Sequence, residues 1–427
     1  MEIWHLKGGR PLQGSCDVQG SKNATLPILA ASILCPVRCE LMHVPDLTDV
    51  GAALQILQHL GCRVSHSGSD VYIDSTGLSG STIPRSLMEQ MRSSVIFMGA
   101  LIARCGQARL SLPGGCQLGK RPIDLHLSAL RRMGARIEED GGEICCHPSG
   151  LKGCEILLPF PSVGATENIM LAACGAEGRT CIRGAAREPE IVALQDFLCT
   201  MGARVYGAGS DSICVDGMDP EGFIGFRLPS DRIVASTLAC AAAAAGGDVE
   251  LRGVDPRQFS TVVHFLNEAG CDIISGNDYL RLRSDGRLRA VGPVSTAPYP
   301  GFPTDAQPVL MAALLKAEGE SVITENIFEN RYRQVPELCR LGADIRLEGR
   351  IARIRGVKEL YGTALTATDL RGGAAMLVAG LSARGETVVY DSGHVRRGYA
   401  GFDHCLRALG AVITLEYEGN GENDVRT

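Results

Sequence analysis

The chain repeats itself six times. An apolar helical pattern followed by x-Gly-(Ala/Cys)-x-(Val/Ile) places its glycine at Gly61, Gly134, Gly202, Gly270, Gly342 and Gly410, at intervals of 73, 68, 68, 72 and 68 residues. A period that regular means one supersecondary unit used again and again, since no single copy can bury its own apolar face. In the first copy Ala53, Leu54, Leu57 and Leu60 recur at helical spacing, and in the third Val192, Leu194, Phe197, Leu198 and Met201 do the same. Each glycine falls where a helix end favours a left-handed residue, and a β-prone stretch follows. Pro122 and Pro189 suit the first turn of two of these helices, and Asp124 and Glu190 suit the positive end of the dipole.

A second helix precedes each of these. It begins near Lys22, Arg92, Ser162, Asp231, Asp305 and Asp369, 37 to 42 residues before its glycine. These segments (ATLPILAASIL, SSVIFMGALIA, ASTLACAAAAA and their sisters) are apolar on nearly every side, so they belong at the centre of a domain. Amphipathic helices should lie outside them, with strands between. Ser, Asp or Thr before several of them supplies N-caps, and Asp231, Asp305 and Asp369 all occupy that position. Six such units imply an α/β protein of two lobes with three units each, which suits 427 residues.

Composition narrows the function. Aromatics are 5% of the chain and net charge is −6, from 42 basic and 48 acidic residues. Neither a stacking platform nor a basic stripe for nucleic acid is available, so an anionic ligand must be met by a local cluster of Arg and Lys. The 17 cysteines are odd in number and contain no CxxC pair, which reads as reduced thiols of a cytoplasmic protein. Cys145, Cys146 and His147 are merely adjacent on a strand-like stretch, and no metal is expected there. The start lacks a basic and then apolar leader pattern, and the longest apolar run, Leu238 to Ala245, is far below the roughly 20 residues of a membrane span.

Several residues stand out on chemistry alone. Cys116 lies in the glycine loop LPGGCQLGKRP beside Lys120 and Arg121, and neighbouring cations favour a thiolate. Lys22 and Asn23 open a buried helix, where a cation is unfavourable by the dipole unless it meets a ligand. Arg92, Arg121, Arg331, Arg371 and Arg397 recur near helix starts or loops of different units, and guanidinium groups suit phosphate and carboxylate. Capping accounts for Asp305 as well as it does for Asp231 and Asp369.

The stretches GSKNATLPILAA, LPGGCQLGKRPIDLHL, SVGATENIM, AAREPEI, TAPYPGFPTDAQ, ENIFENRY, ATDLRGGAAMLVAG and RGY resemble the UDP-N-acetylglucosamine 1-carboxyvinyltransferase family over nearly the whole chain. The resemblance implies a two-domain inside-out α/β barrel with three βαβαββ repeats per domain, the EPSP synthase-like fold. It also implies lobes of 22–229 and of 1–21 with 230–427, with the active site in the cleft between them. The implied reaction moves the enolpyruvyl group of phosphoenolpyruvate to the 3-hydroxyl of UDP-N-acetylglucosamine, at the entry to peptidoglycan synthesis. No cofactor or metal is implied, and a monomer is expected.

Site residues follow from the same resemblance. Cys116 protonates the methylene carbon of phosphoenolpyruvate, and Asp305 is the general base on the sugar hydroxyl. Lys22, Asn23, Arg121, Arg371 and Arg397 hold phosphoenolpyruvate, with Lys22 and Arg397 also counted as catalytic. Asn23, Arg92, Arg121, Pro122, Ile123, Asp124, Leu125, Ser162, Val163, Gly164, Asp305 and Ile327 meet the sugar nucleotide. His126, next to that segment, reads equally well as a helix-surface residue. Two positions depart from the family: Phe160 stands where some members carry a lysine, and Arg396 stands where an acidic residue before Arg397 is common. The related transferase acting on shikimate 3-phosphate has Ser-Lys-Ser where this chain has Ser-Lys-Asn, and it lacks the PGGC loop. An idle paralogue that only binds a UDP-sugar would not need Cys116, Asp305, Lys22 and Arg397 all in place.

Overall fold

The computed structural model describes residues 1–91, 93–111, 123–148, 150–220 and 222–418. The chain forms two compact units: a continuous one, Gln19–Ser230, and a split one, Met1–Val18 with Asp231–Thr427. Among the described residues each unit carries three four-stranded sheets, all built to one plan. In every sheet one parallel pair is followed by two antiparallel pairings. Gly247–Arg252, for example, runs parallel to Leu12–Asp17 and antiparallel to Tyr279–Ser284, which pairs in turn with Asp272–Ser275.

Among the described residues the plan along the chain is βαβαββ, complete in five copies and ending as βαβαβ in the sixth. Three copies borrow a strand from elsewhere. Phe223–Arg227 completes the sheet of Arg38–Met42, Leu12–Asp17 that of Gly247–Arg252, and Glu2–Lys7 sits between Glu386–Asp391 and Val412–Tyr417. The borrowed strands of the first 18 residues therefore tie the start of the chain to the split unit. All six repeat glycines are left-handed, with φ of 101°, 100°, 91°, 104°, 95° and 85° in chain order. A side chain is strained there, which is why the period is written in glycine.

The six segments apolar on every side are the core. Lys22–Ala31, Phe97–Cys105 and Val163–Cys174 lie in the continuous unit; Arg232–Ala245, Gln307–Ala313 and Leu370–Ser382 lie in the split unit, where each packs on the other two. Small residues let them approach closely. A Cβ on Gly99 would collide with the Asn168 backbone oxygen, and the space is used instead for a 2.6 Å bond from Gly99 N to Asn168 Oδ1.

Two expectations need correction here. Strands do not separate the outer helices from the inner ones: Thr48–His59 packs directly on Lys22–Ala31, Asp124–Arg132 on Val163–Cys174, and Ser260–Glu268 on Arg232–Ala245. An amphipathic helix needs one apolar surface for its stripe, and a small-residue helix provides it. Nor are all thiols reduced. Cys181 and Cys214 lie directly opposite on antiparallel strands, Cα atoms 4.3 Å apart, and are joined as a disulfide. Register alone placed them together, which cysteine spacing could not announce. Among the described residues no helix is long and apolar enough to cross a membrane.

Candidate active site

In the split unit the three sister aspartates part company. Asp231 and Asp369 are N-caps: each carboxylate accepts from the backbone N–H groups two and three residues on. Asp305 is not a cap, contrary to the capping expectation. The following helix starts from Ala306, which makes no side-chain cap bond. The donor two residues beyond Asp305, Gln307 N, turns to Thr304 O at 3.3 Å, and the next residue is Pro308, which has no N–H.

Two arginines take the released carboxylate. Arg331 Nη2 reaches Asp305 Oδ1 at 2.6 Å, and Arg371 Nη2 reaches Oδ2 at 2.8 Å. Both arginines are buried, whereas the Asp305 side chain keeps 30% of its surface exposed. Its carboxyl group is thus held by two guanidinium groups while part of the side chain stays exposed. Burial would push its pKa up, but Arg371 and then Arg331 outweigh that and hold it well below the usual carboxylate range. Burial also opposes the charge of Arg371, and Asp305 more than offsets it, so that guanidinium is never neutral.

Arg371 is fixed further by Tyr399. Its Nη1 lies 3.3 Å from the Tyr399 hydroxyl, which shares a 2.9 Å bond with Thr237 Oγ1. Arg397 ends the short turn Val395–Arg397, which Asp391 holds by accepting from His394 N and Val395 N. Gly398 lets that turn rest on the start of Leu370–Ser382, for a Cβ there would stand 2.9 Å from Leu370 Cδ1 and 3.4 Å from Arg371 Nη1. Asp305, Arg331, Arg371 and the Arg397 turn therefore form one cluster. Arg396, the family departure, pairs with Glu2 at 3.3 Å on the borrowed first strand.

The continuous unit brings together a second group. Lys22 is buried rather than solvated, and its Nζ lies 2.6 Å from Asp49 Oδ2. Asp49 was not among the sequence candidates. Its signal was there, because spacing places it with Ala53 and Ile56 on the buried face of Thr48–His59. Ser162 caps Val163–Cys174 by accepting from Ala165 N at 3.4 Å. Gly164 lies under His126, whose Cε1 would be 3.2 Å from a Cβ there. His126 thus joins Ile123, Asp124 and Leu125 to the Ser162–Val163–Gly164 turn, and it is buried rather than on the helix surface.

The ring's protonation can be read from its partner. Asn168 Nδ2 donates to Val95 O at 2.9 Å and to His126 Nδ1 at 2.8 Å, so the ring proton sits on Nε2. Burial lowers the His126 pKa to about 4, against a small opposing effect of Asp124. Glu167 and Glu190 are buried in the same unit, and burial first, then Glu190 and Glu188, raises the Glu167 pKa well above its ordinary value. Arg92, Cys116, Arg121 and Pro122 lie outside the described residues. Asn23 stays half-buried at the second position of Lys22–Ala31, and Ile327 falls in the turn after the strand Glu320–Thr324.

Comparison with known proteins fits these clusters to a family. The family model described as EPSP synthase (3-phosphoshikimate 1-carboxyvinyltransferase) matches residues 6–406. The UDP-N-acetylglucosamine 1-carboxyvinyltransferase 2 of Caldanaerobacter subterraneus subsp. tengcongensis is 47% identical over 413 residues, covering 97% of this chain and 99% of the relative. The chain belongs to the UDP-N-acetylglucosamine 1-carboxyvinyltransferase family. A relative of the same name from Geotalea uraniireducens is 44% identical over 97% of this chain and 99% of its own length. As a member of this carboxyvinyltransferase family, the chain is an enzyme.

Solved structures share the fold at lower identity. The enolpyruvyl transferase NikO from Streptomyces tendae superposes with a TM-score of 0.85 at 24% identity, over 97% of this chain and 98% of that one. EPSP synthase from Acinetobacter baumannii gives 0.76 at 21%, over 98% and 100%. The carboxyvinyltransferase relatives are thus about twice as similar in sequence as either of these structural neighbours.

Proposed function

We propose that this enzyme transfers the enolpyruvyl group of phosphoenolpyruvate to the 3-hydroxyl of UDP-N-acetylglucosamine, releasing phosphate, as the entry step to peptidoglycan in the cytoplasm. The observation that carries the reading is Asp305, the one helix-start aspartate of the three sisters that is clamped by two buried arginines instead of capping. It is joined by near-full-length kinship with the carboxyvinyltransferases.

The chemistry follows from the charges. Lys22, Arg121, Arg371 and Arg397 hold the phosphate and carboxylate of phosphoenolpyruvate, while Asn23, Arg92, Pro122, Ile123, Asp124, Leu125, Ser162, Val163, Gly164 and Ile327 meet the sugar nucleotide. The 3-hydroxyl oxygen bonds to C2 of phosphoenolpyruvate, its proton passes to Asp305, and Cys116 delivers a proton to C3. The Cys116 thiolate then takes a proton back from C3, and the C3–H electron pair closes the C2=C3 double bond. The C2–O bond to the phosphate group breaks with its electron pair on the leaving phosphate, giving the enol ether and inorganic phosphate. A carboxylate clamped by two guanidinium groups is a weak base. When the carboxylate of phosphoenolpyruvate draws Arg371 toward itself, Asp305 loses one partner and gains basicity as the hydroxyl arrives. Incubating the protein with both substrates and measuring phosphate tests the reading. Release is expected with UDP-N-acetylglucosamine and none with shikimate 3-phosphate; the reverse preference, or no release, would end it.

A further inference from the structure

Behind Asp305 lies a buried carboxylate that the proposed chemistry does not use. Glu325 directly follows the strand Glu320–Thr324 and is 1% exposed. Its Oε1 accepts from Ile327 N at 2.8 Å and Phe328 N at 3.0 Å, closing the turn that carries Ile327. The Thr304 hydroxyl donates to the same carboxylate, 3.1 Å from Oε1 and 3.0 Å from Oε2. Thr304 directly precedes Asp305. Its carbonyl accepts from Arg331 Nε at 3.1 Å and Nη2 at 2.9 Å, and that same Nη2 holds Asp305 Oδ1. A continuous path of bonds therefore runs from the Ile327 turn through Glu325, Thr304 and Arg331 to the Asp305 carboxylate. The turn is pinned on its other side by Asn326, which donates from N to Thr296 Oγ1 at 2.8 Å and from Nδ2 to Ser295 Oγ at 2.8 Å.

We infer that Glu325 is a positioning residue for the sugar-nucleotide side of the reaction, setting Ile327 and Asp305 in one register. The inference rests on the proposed function, in which those two residues meet the same sugar. A turn alone does not require a buried carboxylate, because an Asn or Ser closes one without burying a charge. What a carboxylate adds is acceptor capacity in two directions, so that two segments are fixed by one rigid group. An error of about 1 Å in such a placement costs up to roughly a hundredfold in rate.

Kinetics of Glu325→Gln, Thr304→Val and Thr304→Ser, read by phosphate release with both substrates, test this, together with melting temperatures and calorimetric binding of UDP-N-acetylglucosamine. In Glu325→Gln one oxygen becomes a donor; in Thr304→Val the hydroxyl is lost. Both should lower kcat/KM for UDP-N-acetylglucosamine roughly tenfold or more, with KM for phosphoenolpyruvate within about twofold. Thr304→Ser keeps the hydroxyl and should recover to within roughly threefold of the parent. The Glu325→Gln/Thr304→Val double variant should be no worse than the more severe single one, because both cut the same path. Folded variants with every constant within twofold, or equal losses toward both substrates, would overturn the inference. If Glu325→Gln does not fold, the Val/Ser pair at Thr304 decides alone. A parent protein that neither releases phosphate nor binds the sugar nucleotide removes the underlying reading and this inference with it. With an active parent, failure of the variants to behave as expected counts against Glu325 alone.

Discussion

Asp231, Asp305 and Asp369 hold the same place in three consecutive repeats, yet two cap their helices and one is held by two arginines. At Asp231 and Asp369 the carboxylate is consumed by backbone N–H groups at the second and third positions beyond it. At Asp305 those donors are gone, one turned to Thr304 O and the other replaced by Pro308. Two buried guanidinium groups then compete with no one, and they win. A repeat protein can thus free one residue from capping by removing its partners while keeping its position.

The largest test of this contrast is substitution. Asp305→Ala should cut kcat/KM by roughly 10²–10⁴-fold, the range of a lost general base. Asp305→Ser, although serine caps helices well, should rescue none of it. Phosphate release decides the matter. If serine restored activity, Asp305 would be a cap after all.

Much of this was legible in the sequence, for physical reasons. The six-glycine period announced the βαβαββ plan because a left-handed helix end tolerates little else. The buried helices announced themselves because Ala and Gly on every side exclude a solvent face. Pairing across the chain was not legible: nothing in Glu2–Lys7 says that it lies between Glu386–Asp391 and Val412–Tyr417, or that Cys181 meets Cys214. The split role of the aspartates was half legible. Pro308, three residues after Asp305, already ruled out the third-position donor, but Arg331 and Arg371 are 26 and 66 residues away. Glu325 was hidden because a Glu after a strand looks like any surface residue until its neighbours are known.

The continuous unit sharpens the contrast by inverting it. Where Asp305 is kept charged, His126 is kept neutral, its pKa lowered to about 4 by burial. A folded-state value below the unfolded one, about 6.5, means that the unfolded chain binds the proton more readily. His126 therefore costs no stability above pH 6.5 and weakens the fold as pH falls toward 4, by about 2 kcal/mol between pH 6.5 and 5. Asp305 behaves oppositely: its contribution is present above the unfolded carboxylate value and is lost only in stronger acid. Glu167, whose pKa is raised, favours folding as pH falls through part of the same window. The informative quantity is therefore the difference between parent and His126→Asn in denaturant unfolding at pH 7 and pH 5. The variant should lose less stability on acidification, and equal losses would mean that the ring is charged when folded.

A smaller effect tests the other side of the comparison. Asp369→Ala should lower stability by about 1 kcal/mol, the ordinary worth of a cap, and Asp369→Ser should recover most of it. Thermal unfolding checks both. No recovery with serine would mean that Asp369 contributes through its charge near Arg371 rather than through the two bonds it accepts.

The smallest effect is the most discriminating. Pro308→Ala returns an N–H to the third position beyond Asp305, making that helix start chemically equivalent to the starts at Asp231 and Asp369. If the missing donor were all that kept Asp305 from capping, its carboxylate would now swing to the backbone and the variant would be crippled. The magnitudes argue otherwise. A cap is worth about 1 kcal/mol, whereas each charge-assisted bond to Arg331 or Arg371 is worth about 1.5–3 kcal/mol. Two such bonds hold Asp305 against one restored cap. Pro308→Ala should therefore lose less than about fivefold in kcat/KM, since roughly 1 kcal/mol corresponds to about that factor. A loss beyond about fiftyfold in the phosphate assay would show that the proline, and not the arginine pair, is what frees Asp305.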